Sequence, residues 1–176
     1  MRTVTFMNAM AASDLTPDPS NAMISISDAP GWGDPGLPQS RFDRLLRIYF
    51  VDGHYSGETI CDMGRNFKNI YSAYFDRQRA YQIREFLDEC DGLGIQNLYV
   101  HCTAGRSRSA AVALWASRHH GYALKGDPKH ANDMVLDLLS DPHKFDHLLI
   151  EADRESLRQH ETNTFGMWWK KLVRSH

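Results

Sequence analysis

The sequence predicts an α/β protein in which a mostly parallel sheet of four to five strands carries helices on both faces. Short apolar runs of strand length alternate along the chain with longer segments of helical periodicity. Strands that are joined through helices usually pack in this way. The 176 residues, of which 42% are hydrophobic, are enough for a packed core, and we expect one domain over residues 1–176.

The first strands come from the N-terminal half. Residues 3–7 alternate weakly and predict a strand, and residues 8–15 predict a short helix. Pro17 and Pro19 are expected to break the chain before residues 22–27, whose alternation of apolar and polar side chains is typical of a strand.

Two irregular connections follow, on either side of another strand. Residues 28–40 hold three Gly and three Pro, which favours a surface connection; the alternative is a loop at a ligand cleft, with Trp32 stacking on an aromatic ligand. Residues 45–51 predict a strand, and Asp52 follows it directly. Residues 53–72 are polar and lack periodicity, so we expect an inserted loop.

The inserted loop carries four side chains with two open interpretations. His54, Tyr55, Arg65 and Lys68 are either solvated loop residues, which we favour, or parts of a lid that touches a ligand. A metal pair of His54 with Asp52 is discounted, because no second cluster of ligands lies close in the sequence.

The second half predicts a helix, a buried strand and a buried helix in succession. Residues 74–90 have helical spacing, with Ser72 as the expected cap and Gly92 at the end. The apolar run 98–100 predicts a buried strand, and the almost wholly apolar run 110–116 predicts a buried helix. Gly121 and the basic residues before it suit the C-terminus of that helix.

Two Asp-Pro pairs are expected to begin the last helices. Asp127-Pro128 and Asp141-Pro142 each fit a cap followed by the first helical residue, and an apolar stripe follows both pairs. The aromatic segment 165–173 is expected to dock on the domain, with contact to a partner as the alternative.

Composition excludes several functional classes. A net charge of −2 and a pI near 6.5 argue against nucleic-acid binding, and no apolar run reaches membrane-spanning length. No phosphate loop with Gly-Lys-Ser or Gly-Lys-Thr occurs, and the N-terminus lacks the apolar core of a secretory signal. Cys61, Cys90 and Cys102 do not form a disulfide framework, so we expect a reducing, cytoplasmic setting. Cys90 fits the core, and Cys61 is the better redox partner for Cys102.

The connection between the buried strand and the buried helix is the most informative stretch. It runs His101, Cys102, Thr103, Ala104, Gly105, Arg106, Ser107, Arg108, Ser109. A tight loop between a strand and a helix N-terminus directs backbone N–H groups to one point, which favours an anion and lowers the pKa of a thiol there.

Three side chains of this stretch supply complementary chemistry. Cys102 as a thiolate is a strong nucleophile that can accept a group covalently. The planar fork of Arg108 suits two oxygens of a phosphoryl group. Ser109 is placed to donate its hydroxyl to the sulfur and stabilise it as a leaving group.

The pattern His101-Cys102, five residues, Arg108-Ser109 resembles the signature loop of the protein tyrosine phosphatases, in their compact dual-specificity-type branch with its bacterial and phage relatives. The resemblance is tight over residues 97–116 and looser over 22–116. It implies a cysteinyl-phosphate intermediate, no metal or other cofactor, and a phosphorylated protein or peptide as substrate. It also implies that His101 orients the loop. The phosphoryl oxygens would be bound by the loop residues Thr103, Ala104, Gly105, Arg106 and Ser107.

The resemblance further implies an acid on a loop after the strand that precedes the long helix. Asp52 matches this order along the chain, although it lies 50 residues before Cys102, farther than expected in a compact member. Asp62 ranks second. Asp76 ranks third, because a position in the first turn of the next helix explains it.

Three other functions remain open from the sequence. Rhodanese-like sulfurtransferases and arsenate reductases also use a Cys, five residues and an Arg. A catalytically silent phosphoresidue-binding module is disfavoured, because binding alone needs no nucleophile. The third is a non-protein substrate, such as a phosphoinositide or a nucleotide. The loop offers one extra cation, Arg106, and no lysine, which weakly disfavours a highly phosphorylated lipid.

Overall fold

A computed structural model of the chain describes residues 1–16, 18–32, 36–38 and 42–154. The expected docking of segment 165–173 lies outside the described residues. The chain divides into two compact units, one made of residues 1–54 and 73–143 and the other of residues 55–72 and 144–176. The expectation of one domain over the whole chain stays a prediction.

Five strands and six α-helices have both ends within the described residues. The strands are β1 (Thr3–Asn8), β2 (Asp18–Ser27), β3 (Phe42–Tyr49), β4 (Asn97–Cys102) and β5 (Ala123–Lys125). The helices are α1 (Ala9–Ser13), α2 (Gly57–Met63), α3 (Phe67–Ile70), α4 (Arg77–Gly92), α5 (Arg108–His120) and α6 (Asp133–Ser140). A 3-10 turn, Gly64–Asn66, joins α2 to α3, and residues 146–154 are helical.

The first unit is built on a wholly parallel sheet in the order β3-β2-β4-β1-β5. The central strand β4 pairs with β2 on one side and β1 on the other, so that Val100 aligns with both Ile24 and Phe6. Helices flank the sheet, and the predicted α/β class is confirmed. The extra strand β5 is three residues long, too short to show a periodicity.

Apolar burial explains why these segments form the sheet and its cover. Residues 21–27 of β2 are all buried, as expected for an inner strand of a parallel sheet that is covered on both faces. Ala12 of α1 packs with Met23, Leu37 and Phe42 in one buried cluster. Helix α5 contacts β1 and β4 and is buried over most of its length, and its end at Gly121 has φ +67, as predicted.

The parallel arrangement places the carboxyl ends of the strands along one edge of the sheet. Cys102 ends β4, Asn8 ends β1, and Asp28 directly follows β2. Ligands of open α/β sheets bind at this edge. The fold therefore gathers polar side chains from separate parts of the chain around Cys102.

The expectation of an irregular loop over residues 53–72 is wrong. This segment contains α2, the 3-10 turn and α3. Helix α2 begins with a capping box, in which Ser56 accepts from the Thr59 N–H and the Thr59 side chain accepts from the Ser56 N–H. The ring of Tyr55 contacts Phe67, Tyr71 and Phe145 within the second unit, with centroids 5.0, 5.9 and 5.3 Å away. Side-chain packing thus orders a segment whose polar composition indicates a loop.

Both Asp-Pro pairs form turns instead of helix starts. Asp127 accepts a hydrogen bond from the backbone N–H of Lys129, and Asp141 accepts one from His143. An Asp side chain that bonds to the backbone two residues later closes a turn. Helix α6 begins at Asp133, and the next helical residues begin at 146.

Two other boundaries differ from expectation. Asp76 is the N-cap of α4 and accepts from the Arg79 N–H at 2.9 Å, a role expected of Ser72. Strand β2 begins at Asp18 and runs through Pro19, with a register shift against β3 between Asp18 and Ala22. Pro19 therefore sits in an irregular strand start, where a missing N–H is tolerated.

No described helix is both long enough and apolar enough to span a bilayer.

Candidate active site

The loop between β4 and α5 is built around Gly105. Its φ is +68, and a Cβ at this position would lie 2.2 Å from the backbone N of Asn8 and 2.4 Å from the carbonyl carbon of Met7. Both the left-handed backbone and the close approach of β1 therefore require glycine. The N–H of Ala9 also donates to the Thr103 carbonyl at 3.5 Å, so the end of β1 supports the loop on this side.

Cys102 lies at the base of this loop with its sulfur almost enclosed. The residue is 1% exposed. Its Sγ lies 3.2 Å from the Ser109 hydroxyl oxygen and accepts from the Gly105 N–H at 3.2 Å. Burial opposes ionisation of this thiol, but the hydroxyl of Ser109 and the backbone N–H groups of Ser109, Arg106 and Gly105 outweigh it and hold the pKa of Cys102 below its ordinary value. The predicted roles of Cys102 and Ser109 thus coincide with a suitable geometry.

Arg108 occupies the first turn of α5 and is 4% exposed. Its Nη1 donates to the Asp28 carboxylate at 2.5 Å and to the Phe50 carbonyl, while Nη2 lies 3.4 Å from the Thr103 hydroxyl. Nε is buried and makes no hydrogen bond with any described residue. One edge of the guanidinium is therefore held by the protein, and the Nε–Nη2 edge keeps donor capacity.

Asp28 is a site residue that the sequence analysis did not identify. It pairs with Arg108 across 80 positions of the chain and lies in the segment interpreted as a surface connection. It follows β2 directly, as Asp52 follows the next strand, and this shared placement was the available signal. The carboxylate neutralises the cation and fixes its orientation.

Asp52 lies beside the loop, as predicted. Its Oδ1 accepts from the Ser107 hydroxyl at 2.7 Å and from the Asn132 side-chain amide at 2.9 Å. Asp62 lies in α2, in the second unit, and Asp76 caps α4 and pairs with Arg79. Of the three carboxylates considered for the acid role, Asp52 is the one that is hydrogen-bonded to the loop.

Asn132 is the second residue that sequence analysis missed. It is 2% exposed, caps α6 through the Val135 N–H, and donates through Nδ2 to Asp52 and to the Gly53 carbonyl. An Asn ahead of the apolar pair Met134-Val135 is a cap signal, but placing the helix start at Asp127-Pro128 obscured it.

The remaining residues predicted for the site differ in burial and in their contacts. His101 is fully buried, and its Nε2 lies 2.7 Å from the Ser25 hydroxyl on β2, so it anchors the end of β4. Thr103, Ala104 and Arg106 are exposed at the mouth of the loop, where a ligand can reach them. Ser107 stands at the N-cap of α5, but its hydroxyl bonds to Asp52 in place of the helix.

Several alternative site residues have other environments. Tyr55 belongs to the aromatic cluster of the second unit, and Lys68 pairs with Asp153 at 2.6 Å. Trp32 is 75% exposed on a turn that its N–H closes with the Ala29 carbonyl. Cys90 is buried, and desolvation raises the pKa of its thiol to about 12, which fits a core residue.

No group of three or more His, Cys, Asp or Glu side chains suited to a metal ion occurs among the described residues. Comparison with known proteins found no matching family model and no significant match to a curated protein. The site must therefore be interpreted from its own geometry. In chemical terms, that geometry combines an activated thiol, a buried cation with open donors and a carboxyl group.

Proposed function

We propose that this chain is a cysteine-dependent phosphatase that hydrolyses phosphotyrosine, with phosphoserine and phosphothreonine as further candidate substrates, through a cysteinyl-phosphate intermediate. The proposal assigns the nucleophile to Cys102, oxyanion binding to Arg108 and the loop amides, and the acid to Asp52. The resemblance of residues 97–116 to the protein tyrosine phosphatases supports it. Its substrate is a phosphorylated protein or peptide.

The observation that carries the proposal is that the protein engages only part of the hydrogen-bonding capacity of the Arg108 guanidinium. Its Nη1 is engaged by Asp28 and Phe50, whereas the buried Nε has no partner among the described residues. A buried donor without a partner is unfavourable, and two oxygens of a phosphoryl dianion above the loop would accept from both Nε and Nη2. This Nε–Nη2 edge, on which only Nη2 has a contact, the Thr103 hydroxyl at 3.4 Å, belongs to the residue six positions after the activated thiol.

In the first step, the Cys102 thiolate attacks phosphorus in line with the departing oxygen. The S–P bond forms while the bond from phosphorus to the leaving oxygen breaks, and Asp52 gives its proton to that oxygen. Arg108 and the N–H groups of the loop bind the non-bridging oxygens, whose charge is stabilised by donors already in place.

In the second step, water attacks the cysteinyl-phosphate. The Asp52 carboxylate takes the proton of the water as the new O–P bond forms, and the S–P bond breaks to return the thiolate. The Ser109 hydroxyl, whose oxygen lies 3.2 Å from Sγ, donates to the departing sulfur and so stabilises it. Phosphate then leaves, and Asp52 is protonated for the next cycle.

Asp52 also favours this function over the alternatives. Protonation of a poor oxygen leaving group needs an acid beside the loop, and a sulfurtransferase has no such leaving group. A binding module has no use for a thiol with a lowered pKa. The free thiols Cys61, Cys90 and Cys102 suit a reducing cytoplasm, which we include in the proposal.

Release of phosphate from a phosphotyrosine peptide, in a reducing buffer with a chelator, tests the proposal. We expect turnover by the native chain and by Cys61→Ser, which changes an exposed thiol outside the site, and at least a ~10³-fold loss in Cys102→Ser. Equal turnover by Cys102→Ser would assign the activity to a contaminant. No turnover of phosphotyrosine, phosphoserine or phosphothreonine peptides by the folded native chain would reject the proposed function.

A further inference from the structure

We propose that Asn132 is a positioning residue for the acid: together with Ser107 it holds Oδ1 of Asp52 and thereby confines the transferable proton to Oδ2. The inference rests on the proposed function, since it assigns a task within proton transfer. Asn132 lies 30 residues after Cys102 and outside the signature loop.

The surroundings of Asn132 permit one orientation of its amide. Its Oδ1 accepts from the Val135 backbone N–H at 3.1 Å, and a backbone N–H can only donate. Its Nδ2 faces the Gly53 carbonyl at 3.3 Å, which can only accept, and Oδ1 of Asp52 at 2.9 Å. The amide hydrogens are therefore directed at the acid.

This orientation determines where the acid carries its proton. An amide nitrogen has no acceptor capacity, so the Asp52 oxygen that faces it must act as an acceptor. The same Oδ1 also accepts from the Ser107 hydroxyl at 2.7 Å. A proton on Oδ1 would weaken its acceptance from the Asn132 amide and reverse the hydrogen bond with Ser107, whereas Oδ2 has no partner among the described residues. The proton consequently belongs on Oδ2.

Burial makes the arrangement rigid. Asn132 is 2% exposed, and its backbone N–H donates to the Ser107 carbonyl at 3.3 Å. The start of α6 thus contacts both the catalytic loop, at Ser107, and the acid, at Asp52 and Gly53. The acid is thus oriented by the protein before a substrate arrives.

The test compares two leaving groups, because in the first step this contact serves only the protonation of the leaving oxygen. Asn132→Ser keeps a good helix cap but removes the amide that reaches Asp52. We expect kcat/KM, which reports the first step alone, to fall about tenfold with phenyl phosphate, whose leaving group needs protonation, and less than about twofold with nitrophenyl phosphate, whose leaving group does not. In an Asp52→Asn background, the same change should produce no further loss.

Asn97→Ser is the matched control. Asn97 is a partly buried asparagine whose Nδ2 donates to Asn21 at 3.0 Å and whose Oδ1 accepts from Thr3, at the amino end of β4. The Asn97→Ser variant should lower the urea midpoint of unfolding and change kcat/KM for the two substrates by the same factor. Unfolding midpoints of both variants check that each remains folded.

Two results overturn the inference by itself. One is an equal loss with both substrates in Asn132→Ser, and the other is a loss that persists in the Asp52→Asn background. Either result would leave Cys102-dependent turnover, and hence the proposed function, in place. A native chain without phosphatase activity would instead reject the function and the inference together.

Discussion

Cys102 and Cys90 are both buried thiols, yet their surroundings move the two pKa values in opposite directions. Around Cys90, desolvation dominates and raises the pKa to about 12, with Glu89 and Asp91 adding to the effect. Around Cys102, desolvation is also the largest influence, but hydrogen-bond donors on the loop and on Ser109 outweigh it. Hydrogen-bond donors of the Ser109 side chain and of the loop backbone, and not exposure, thus distinguish the two thiols.

This contrast predicts a pH profile for alkylation. Because its pKa is lowered, Cys102 should react with iodoacetamide with a midpoint below that of an ordinary cysteine, about 8.5. Ser109→Ala removes one donor to the sulfur and should move the midpoint upward. Peptide mass spectrometry at a series of pH values measures the modification of Cys102, with unmodified Cys90 as the internal reference. A native midpoint at or above that of a small-molecule thiol would contradict the assigned environment.

At the residue scale, the sequence indicates the reactive groups better than the groups that hold them. Cys102, Arg108 and Ser109 lie within eight positions, so their spacing alone predicts their proximity. Asp28 and Asn132 contact the site through long-range pairing that no local pattern encodes. Asp52 was identifiable because it directly follows the predicted strand 45–51, although β3 itself ends at Tyr49, and the same rule applied to the preceding strand would have selected Asp28.

At the scale of elements, the conformation of the loop between β4 and α5 depends on how closely β1 approaches it. Gly105 and Gly94 have nearly the same φ, +68 and +69, but only Gly105 has backbone atoms where a Cβ would lie. Comparison of the two positions therefore separates the strain of a left-handed residue from a clash with a strand.

Alanine at these two glycines should have unequal effects. Gly94→Ala should lower the free energy of unfolding by about 1–2 kcal/mol, the strain of the left-handed conformation alone. Gly105→Ala adds a clash with Asn8 and should lower it by about 2–5 kcal/mol and abolish phosphate release. Urea unfolding and the phosphatase assay measure both. Equal destabilisation would mean that β1 yields to the extra methyl group.

Elements with a long apolar pattern were predictable, and short ones were not. The buried helix α5 and the strand β4 follow from continuous apolar runs. The helices α2 and α3 contain 7 and 4 residues, which is less than a periodicity needs to show, and they are ordered by aromatic contacts such as the Phe67–Tyr71 stack at 4.8 Å. The Asp-Pro pairs were misassigned because Asp followed by Pro suits a turn as well as a helix start.

At the scale of the whole molecule, Asp91 joins three separated parts of the first unit. It lies in the last turn of α4, pairs with Arg2 ahead of β1, and accepts from Nδ1 of His120, in the last turn of α5, at 2.6 Å. Burial opposes its ionisation, but the hydrogen bonds from His120 and Arg2 outweigh it and hold the pKa of Asp91 below its ordinary value. This network lies at the edge of the sheet opposite the candidate site.

A lowered carboxyl pKa stabilises the fold above the unfolded-state value and is lost as the pH falls through the folded-state value. Asp91→Asn should therefore cost about 1 kcal/mol at pH 7, and the difference from the native chain should shrink below about pH 4. Urea unfolding at both pH values measures it. Glu89→Gln, which changes an exposed pair with Arg44, should have little effect at either pH. A difference that grows on acidification would show that Asp91 is not held as a carboxylate.

Because other segments support the loop between β4 and α5, its residues alone are not enough to transfer the site to another protein. Within residues 101–109, the backbone is shaped by Asn8 of β1 and the cation is aimed by Asp28 and Phe50. The neighbouring carboxyl group, Asp52, lies outside these residues and is held by Asn132. A graft of those nine residues onto a foreign scaffold would transfer the thiol and the arginine without these supports. The loop does not hold its own geometry. A design that aims at its chemistry must therefore include the segments at the sheet edge that contact it.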